Sequence, residues 1–262
     1  MMNDERFDSL NAWIHEQAER RPAPRAEAKT HEGWAAVRAT GTRLWLDTGD
    51  LDAARTLWTV EFEALTTNNT LLNAEVQKGQ YDGLVREAAG RLRDGSPGIS
   101  DDELRLEIAF VLNAVHGLRL VQAFDARVSV ELHTDLANDI ARSVEYGRRY
   151  HAIEPQRFIV KVPLTPAGYL AARRLVREGV PVNFTLGFSA RQNLLAAALA
   201  QPDFVNVFMG RLNAFVADHK LGDGRNVGEK ATLATQRELR RWRERGETRS
   251  QLIGASMREG TQ

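Results

Sequence analysis

An α/β fold of the (β/α)8 TIM-barrel type is predicted by three observations. Seven short apolar segments alternate with longer helical patterns along the chain. These segments are near-continuously apolar, as strands of a parallel sheet covered on both faces must be. No glycine-rich dinucleotide fingerprint is present, which favours a barrel over a doubly wound sheet.

Residues 1–40 read as an N-terminal helical extension. Phe7, Leu10 and Ile14 give an amphipathic helix, and Arg21-Pro22-Ala23-Pro24 gives a linker. Residues 41–262 read as the barrel domain, with candidate strands at 43–47, 63–66, 128–131, 158–162, 182–185, 204–208 and 251–255. Between them lie helix signals. Ser100 with Glu103 makes a capping box ahead of Leu104, Ile108, Val111 and Val115. Leu136, Ile140 and Val144 repeat at helical spacing. Thr165 caps a helix beginning at Pro166, and Gly179 lies just past its end. Ser189 and Gln192 make a second capping box, with Pro202 after that helix. The segment 237–249 carries six arginines and three glutamates and reads as a solvated helix face. Gly222 to Gly228 reads as a turn or a lid after the sixth strand. Seven strands are identifiable before Gln262 and the eighth is missing. The expectation is a C-terminally incomplete barrel with two exposed edges, low stability and a tendency to aggregate.

Composition excludes several function classes. Thirty-five basic residues balance thirty-five acidic ones, so no global field recruits nucleic acid or an anionic membrane. The chain has no cysteine, which excludes disulfides and thiolate chemistry and points to a cytoplasmic location. The first twenty residues are charged throughout and carry no signal-peptide core. No stretch reaches the roughly 20 apolar residues of a membrane span. The six histidines show no metal-ligand spacing, so no metal site is expected.

The ends of the candidate strands carry polar residues. Asp47 ends the first, and Thr67-Asn68 follow the second. Glu131 ends the third, Lys161 lies inside the fourth, and Asn183 and Thr185 lie on the fifth. Asn206, Phe208 and Arg211 lie on or after the sixth, and Ser256 and Arg258 follow the seventh. In a parallel barrel these ends converge on one rim, where active sites are built. Lys161 stands in the apolar run Phe158-Ile159-Val160-Lys161-Val162-Pro163. A charged ammonium there is costly unless it is paired or loses its proton, and a neutral amine attacks a carbonyl. Attack on a ketone gives an iminium ion, an electron sink for breaking the adjacent C–C bond. Glu131 suits proton delivery through a water, and Asp47 suits the hydroxyl one carbon further along. Asn68 and Asn183 suit sugar hydroxyls, while Arg211, Ser256 and Arg258 suit a phosphate.

The motifs Leu46-Asp47-Thr48-Gly49-Asp50, Leu65-Thr66-Thr67-Asn68, Val128-Ser129-Val130-Glu131, Val160-Lys161-Val162-Pro163, Val182-Asn183-Phe184-Thr185-Leu186, Val207-Phe208-Met209-Gly210-Arg211 and Gly254-Ala255-Ser256-Met257-Arg258 occur in the order found in transaldolases. The sequence resembles that family from about residue 43 onward. The resemblance implies a class I, Schiff-base aldolase of the pentose phosphate pathway. Such an enzyme moves a dihydroxyacetone unit from fructose 6-phosphate or sedoheptulose 7-phosphate to an aldose phosphate, without cofactor or metal. It implies Lys161 as the Schiff-base residue, Asp47 as the acid/base at C–C cleavage, and Glu131 with Thr185 holding the catalytic water. Asn68 and Asn183 match the hydroxyl donors, and Arg211, Ser256 and Arg258 match the phosphate site. Phosphorylated sugars are the implied partners, and a homo-oligomer is compatible with the sequence. Glu131 and Phe208 resemble transaldolases rather than the sister fructose 6-phosphate aldolases, which carry glutamine and tyrosine there and release free dihydroxyacetone. That lyase activity, or a catalytically silent truncated relative, are the alternative readings. The chain departs from the family pattern at Asn69, where proline is usual, at Asn206, where serine is usual, and at Asn213-Ala214, which lack the usual acid.

Overall fold

The computed structural model describes residues 4–258. The elements in chain order are α1 Asp4–Arg20, α2 Glu32–Ala39, β1 Leu44–Asp47, α3 Leu51–Leu57, β2 Phe62–Thr66, α4 Asn69–Gln77, α5 Asp82–Gly95, α6 Asp101–Phe124 and β3 Arg127–Glu131. They continue with a 3₁₀ turn Thr134–Leu136, α7 Ile140–Ile153, β4 Phe158–Pro163, α8 Pro166–Arg177, β5 Val182–Thr185, α9 Ala190–Leu199, β6 Phe204–Phe208, α10 Met209–Asp218, α11 Val227–Glu244 and β7 Gln251–Ala255. Every strand pairing described is parallel, so the fold is α/β. Among the described residues, no helix is long and apolar enough to cross a membrane.

The chain divides into two compact units. One comprises residues 1–133 and 149–159, the other 134–148 and 160–262. In the first, β1, β2 and β3 pair in sequence order, and Val128 N–H donates to Arg157 O just ahead of β4. Helix α6 is the centre of this unit. It is buried at most positions from Leu104 to Phe124, and packs against α1, α5 and β3. A helix buried all round must satisfy its polar side chains internally. Glu107 does so with a bidentate pair to Arg149, at 2.6 Å for each bond. His116 shares a 2.8 Å hydrogen bond with the Tyr81 hydroxyl. Gly117 permits the close packing on β3: a Cβ there would meet Phe158 at 2.8 Å and Val130 at 2.9 Å.

In the second unit β4, β5, β6 and β7 pair in sequence order. Val160, Val162, Phe184, Val205 and Val207 are fully buried, and Ala171, Ala172, Leu175, Ala196, Ala197 and Leu239 supply buried apolar positions on α8, α9 and α11.

Local signals in the sequence act as expected at several helix ends. Ser100 accepts from Glu103 N–H, Thr165 from Gly168 N–H, and Ser189 from Gln192 N–H. Gly179 takes φ +84° just beyond α8, a left-handed conformation that glycine adopts without steric cost. Two readings need correction. Leu136 does not belong to the helix that contains Ile140 and Val144. It is buried in the separate 3₁₀ turn, and Asp139 starts α7 anew by accepting from Arg142 N–H at 3.0 Å. The arginine-rich stretch is helical only to Glu244, after which Gly246 at φ +70° turns the chain toward β7. Leu10 and Ile14 are buried on α1 as the amphipathic pattern requires, while the side chain of Phe7 lies outside those described.

Candidate active site

Strand pairing sorts side chains by face, because neighbours in register point the same way and successive residues alternate. In the first unit, Asp47 pairs with Thr66 and Thr66 with Ser129. Glu131, two residues beyond Ser129, therefore shares their face. The opposite face carries Leu46, Leu65, Val128 and Val130. Asp47 is exposed at the end of β1. Thr67 is fully buried, and its N–H lies 3.4 Å from Ser129 O.

Asn68 is the N-cap of α4: its Oδ1 accepts from Leu71 N–H at 3.0 Å. That bond fixes the side chain and commits its carbonyl, so the amide nitrogen is the end left to donate to a ligand. The next residue was absent from the expected site. Asn69 donates twice to Glu131 Oε2, from its backbone N–H at 3.0 Å and from Nδ2 at 3.1 Å. Its Nδ2 also lies 3.1 Å from Leu132 O. Asn113 on α6 donates to Glu131 O at 2.7 Å, tying down the backbone at the end of β3.

Beyond Asp47, Asp50 caps α3, accepting from Asp52 and Ala53 N–H at 2.9 Å each. Lys78 bridges Asp50 and Glu75 at 2.8 Å each. The Lys78 ammonium, with the capping N–H groups, holds the Asp50 carboxyl below the usual carboxylate range.

In the second unit, Lys161 pairs with Asn183 and Pro163 with Thr185. Asn183 pairs with Phe204, which aligns Asn206 beside Thr185 on the same face. Four polar side chains thus lie together on one face of adjacent strands. They are nearly enclosed: Lys161 is 5% exposed, Asn183 1%, Thr185 2% and Asn206 3%. Two of their atoms, Thr185 Oγ1 and Asn206 Oδ1, have no hydrogen-bond partner among the described residues. A buried hydroxyl or amide oxygen left so costs free energy that a ligand or water would recover.

The C-terminal ends of β5, β6 and β7 are shaped by close approach. Gly187 follows Leu186, and a Cβ on it would lie 2.0 Å from Asn206 O. Gly210 N–H donates to Ser256 O at 3.0 Å, and a Cβ there would lie 2.3 Å from that oxygen and 2.8 Å from Arg258 Cγ. Glycine at 210 therefore lets the start of α10 lie against the segment after β7. Leu186 and Ser256 take φ +64° and +58°, strained for residues with a Cβ. Such strain is typical of positions where a side chain must be aimed. The Arg211 guanidinium lies 5.1 Å from the centroid of the Phe208 ring, and Phe208 lies 6.0 Å from Phe188.

Arg258 and Gly210 line a cavity of about 590 Å³. Its wall also contains Arg225, Asn226 and Glu229, which sequence reasoning did not assign to a site. Asn213 organises it. Its Nδ2 lies 3.1 Å from both Glu229 oxygens, and its Oδ1 accepts from Gly228 N–H at 2.8 Å. The segment from Gly222 is thus a turn that ends at Asn226, and the start of α11 is pinned to α10 through Gly228. Among the described residues, no group of three or more His, Asp or Glu is arranged to hold a metal ion.

A family model described as Transaldolase/Fructose-6-phosphate aldolase matches residues 44–262. A protein named transaldolase from Xanthomonas euvesicatoria pv. vesicatoria (strain 85-10) is 34% identical over 176 residues, covering 63% of this chain and 52% of that one. One from Xanthomonas campestris pv. campestris (strain B100) is 35% identical over 180 residues, covering 65% and 54%. A more distant one, from Protochlamydia amoebophila (strain UWE25), is 27% identical over 223 residues, covering 83% and 67%. The chain spans about half the length of the first two of these relatives that it matches.

Proposed function

The chain belongs to the transaldolase and fructose-6-phosphate aldolase family, and from that premise we propose that it transfers a dihydroxyacetone unit between phosphorylated sugars through a lysine Schiff base on a (β/α) barrel. The observation that carries this reading is the enclosed polar face of β4 to β6. There Lys161 sits in register with Asn183, and Thr185 and Asn206 offer buried oxygen atoms that no group among the described residues satisfies.

In the proposed reaction the Lys161 amine attacks the ketone carbon of fructose 6-phosphate or sedoheptulose 7-phosphate to give a carbinolamine. Glu131 delivers a proton through a water held by Thr185, the carbinolamine oxygen leaves as water, and an iminium ion forms. Asp47 removes the proton of the hydroxyl on the far carbon of the bond to be broken. That hydroxyl becomes a carbonyl, the C–C bond breaks, and its electron pair moves to the iminium to give an enamine. The released aldose phosphate departs, and an acceptor aldose phosphate reverses the sequence. Asn68, through Nδ2, and Asn183 hold the dihydroxyacetone hydroxyls, with Thr67 and Asn206 beside them. Arg211, Ser256 and Arg258 take the phosphate, and Phe208 supports the Arg211 guanidinium.

Borohydride reduction in the presence of fructose 6-phosphate, followed by peptide mass mapping, tests the reading. A stable adduct on Lys161 is expected. A folded sample with no adduct refutes the Schiff base, and an adduct elsewhere refutes the lysine. Transfer that depends on an added acceptor aldose phosphate supports the transferase; acceptor-independent release of dihydroxyacetone would assign the lyase instead.

A further inference from the structure

The carboxylate assigned above to proton delivery is held by a residue outside the family pattern. Glu131 Oε2 accepts two hydrogen bonds from Asn69, one from the backbone N–H and one from Nδ2. Asn69 is the first residue of α4, so its N–H is one of those left without a partner inside the helix, and the positive end of the helix dipole faces the carboxylate. Both bonds restrict rotation about the last side-chain bond of Glu131. The same Nδ2 reaches Leu132 O, so one amide anchors both the carboxylate and the chain that carries it. Proline at this position would supply neither donor.

We propose that Asn69 is the positioning residue of Glu131: it fixes the carboxylate in the orientation from which it delivers a proton. The proposal rests on the Schiff-base reading for its catalytic meaning. Its geometry stands independently of that reading.

Two variants separate the donors. Asn69→Ala keeps the backbone N–H and removes the side-chain donor. Asn69→Pro removes both, and the backbone accommodates it. Proline is favoured at the first helical position, and Asn68 is already extended at φ −153°, ψ 169°, as a residue before proline prefers.

Carbon NMR relaxation of the Glu131 side chain gives a readout that needs no turnover. Its order should be highest in the unsubstituted chain, lower in Asn69→Ala and lowest in Asn69→Pro. In the same order kcat should fall, by about tenfold in Asn69→Pro, with KM unchanged. Equal order in all three chains overturns the proposal, as does a change in KM with kcat unmoved. Borohydride trapping on the unsubstituted chain separates the two levels. An adduct on Lys161 with equal Glu131 order in the three chains removes Asn69 alone. No adduct removes the reaction, and with it the catalytic role of both residues.

Discussion

Removing the Glu107 carboxylate should destabilise the chain more than any change at its surface. Glu107 and Arg149 form two parallel bonds of 2.6 Å, and their side chains are only 10% and 6% exposed. The Arg149 guanidinium also lies 4.1 Å from the Phe110 ring centroid, and that ring is 4.7 Å from Tyr150. Taking one partner of a buried pair away leaves the other charge in a medium that cannot solvate it, at a cost of about 3–5 kcal/mol. For a chain of this size each kcal/mol lowers the melting temperature by about 2–4 °C, so Glu107→Ala should melt roughly 6–20 °C earlier. Glu107→Gln should fall between it and the unsubstituted chain, since one acceptor oxygen survives without the charge. The double variant Glu107→Leu/Arg149→Met should recover most of the loss, because two apolar side chains of similar volume carry no desolvation penalty. Thermal and urea unfolding of the unsubstituted chain, the single variants Glu107→Leu and Arg149→Met, and the double variant give the coupling between the two sites. A Glu107→Ala shift below about 2 °C, or a double variant less stable than both singles, would refute this reasoning.

Other predictions test separate parts of the structure. Asn68→Ala should lose about 1 kcal/mol of stability with the helix cap. Asn68→Asp should keep the cap while losing the donor to substrate, so melting curves and KM values should respond differently in the two variants. Gly210→Ala should raise KM for fructose 6-phosphate about tenfold, or ~1.4 kcal/mol, because its Cβ forces the Ser256 and Arg258 segment away. Trapping of free dihydroxyacetone, which has no phosphate, should be unaffected, and an unchanged KM would count against the phosphate assignment. His116 is fully buried, and burial together with the nearby Arg119 lowers its pKa to about 4. With its unfolded value near 6.5, the stability it contributes is complete above that pH and is lost as pH falls toward 4. Between pH 7 and 4.5 the unsubstituted chain should lose roughly 2 kcal/mol more than His116→Gln. Parallel urea titrations at the two pH values measure the difference, and equal losses would show that His116 does not titrate in this way.

What was legible in the sequence was mostly local. The bounds of β5, β6 and β7 follow from short apolar runs between turn residues, and Ser100, Thr165 and Ser189 cap the helices they precede because capping needs only a neighbour three residues away. Helix α2 escaped because none of its residues is buried and its cap is the imidazole of His31, whose Nδ1 accepts from Trp34 N–H at 3.3 Å. Leu136 was misassigned because helical spacing reports burial, and a buried residue in a 3₁₀ turn can stand at the same spacing by coincidence. Within the candidate site, strand-end residues were readable because parallel strands align them. The grip of Asn69 on Glu131 was not, since the two stand 62 positions apart. From the sequence, Asn69 could be recognised only as a missing proline with a new N–H donor. Arg225 and Glu229 were missed for a similar reason: the turn before α11 brings them to Arg258, and no periodicity announces a turn.

Alternation along β4, β5 and β6 has a consequence for how such a chain can change over generations. Lys161 and Asn183 stand beside Val162 and Phe184, which point the other way into the apolar interior. Substitutions can adjust the two sets separately. Inserting or deleting one residue within a strand exchanges them, sending an amide into the hydrocarbon packing and a phenyl ring onto the polar face. Lineages of this fold should therefore vary in length between strands and hold their phase within them.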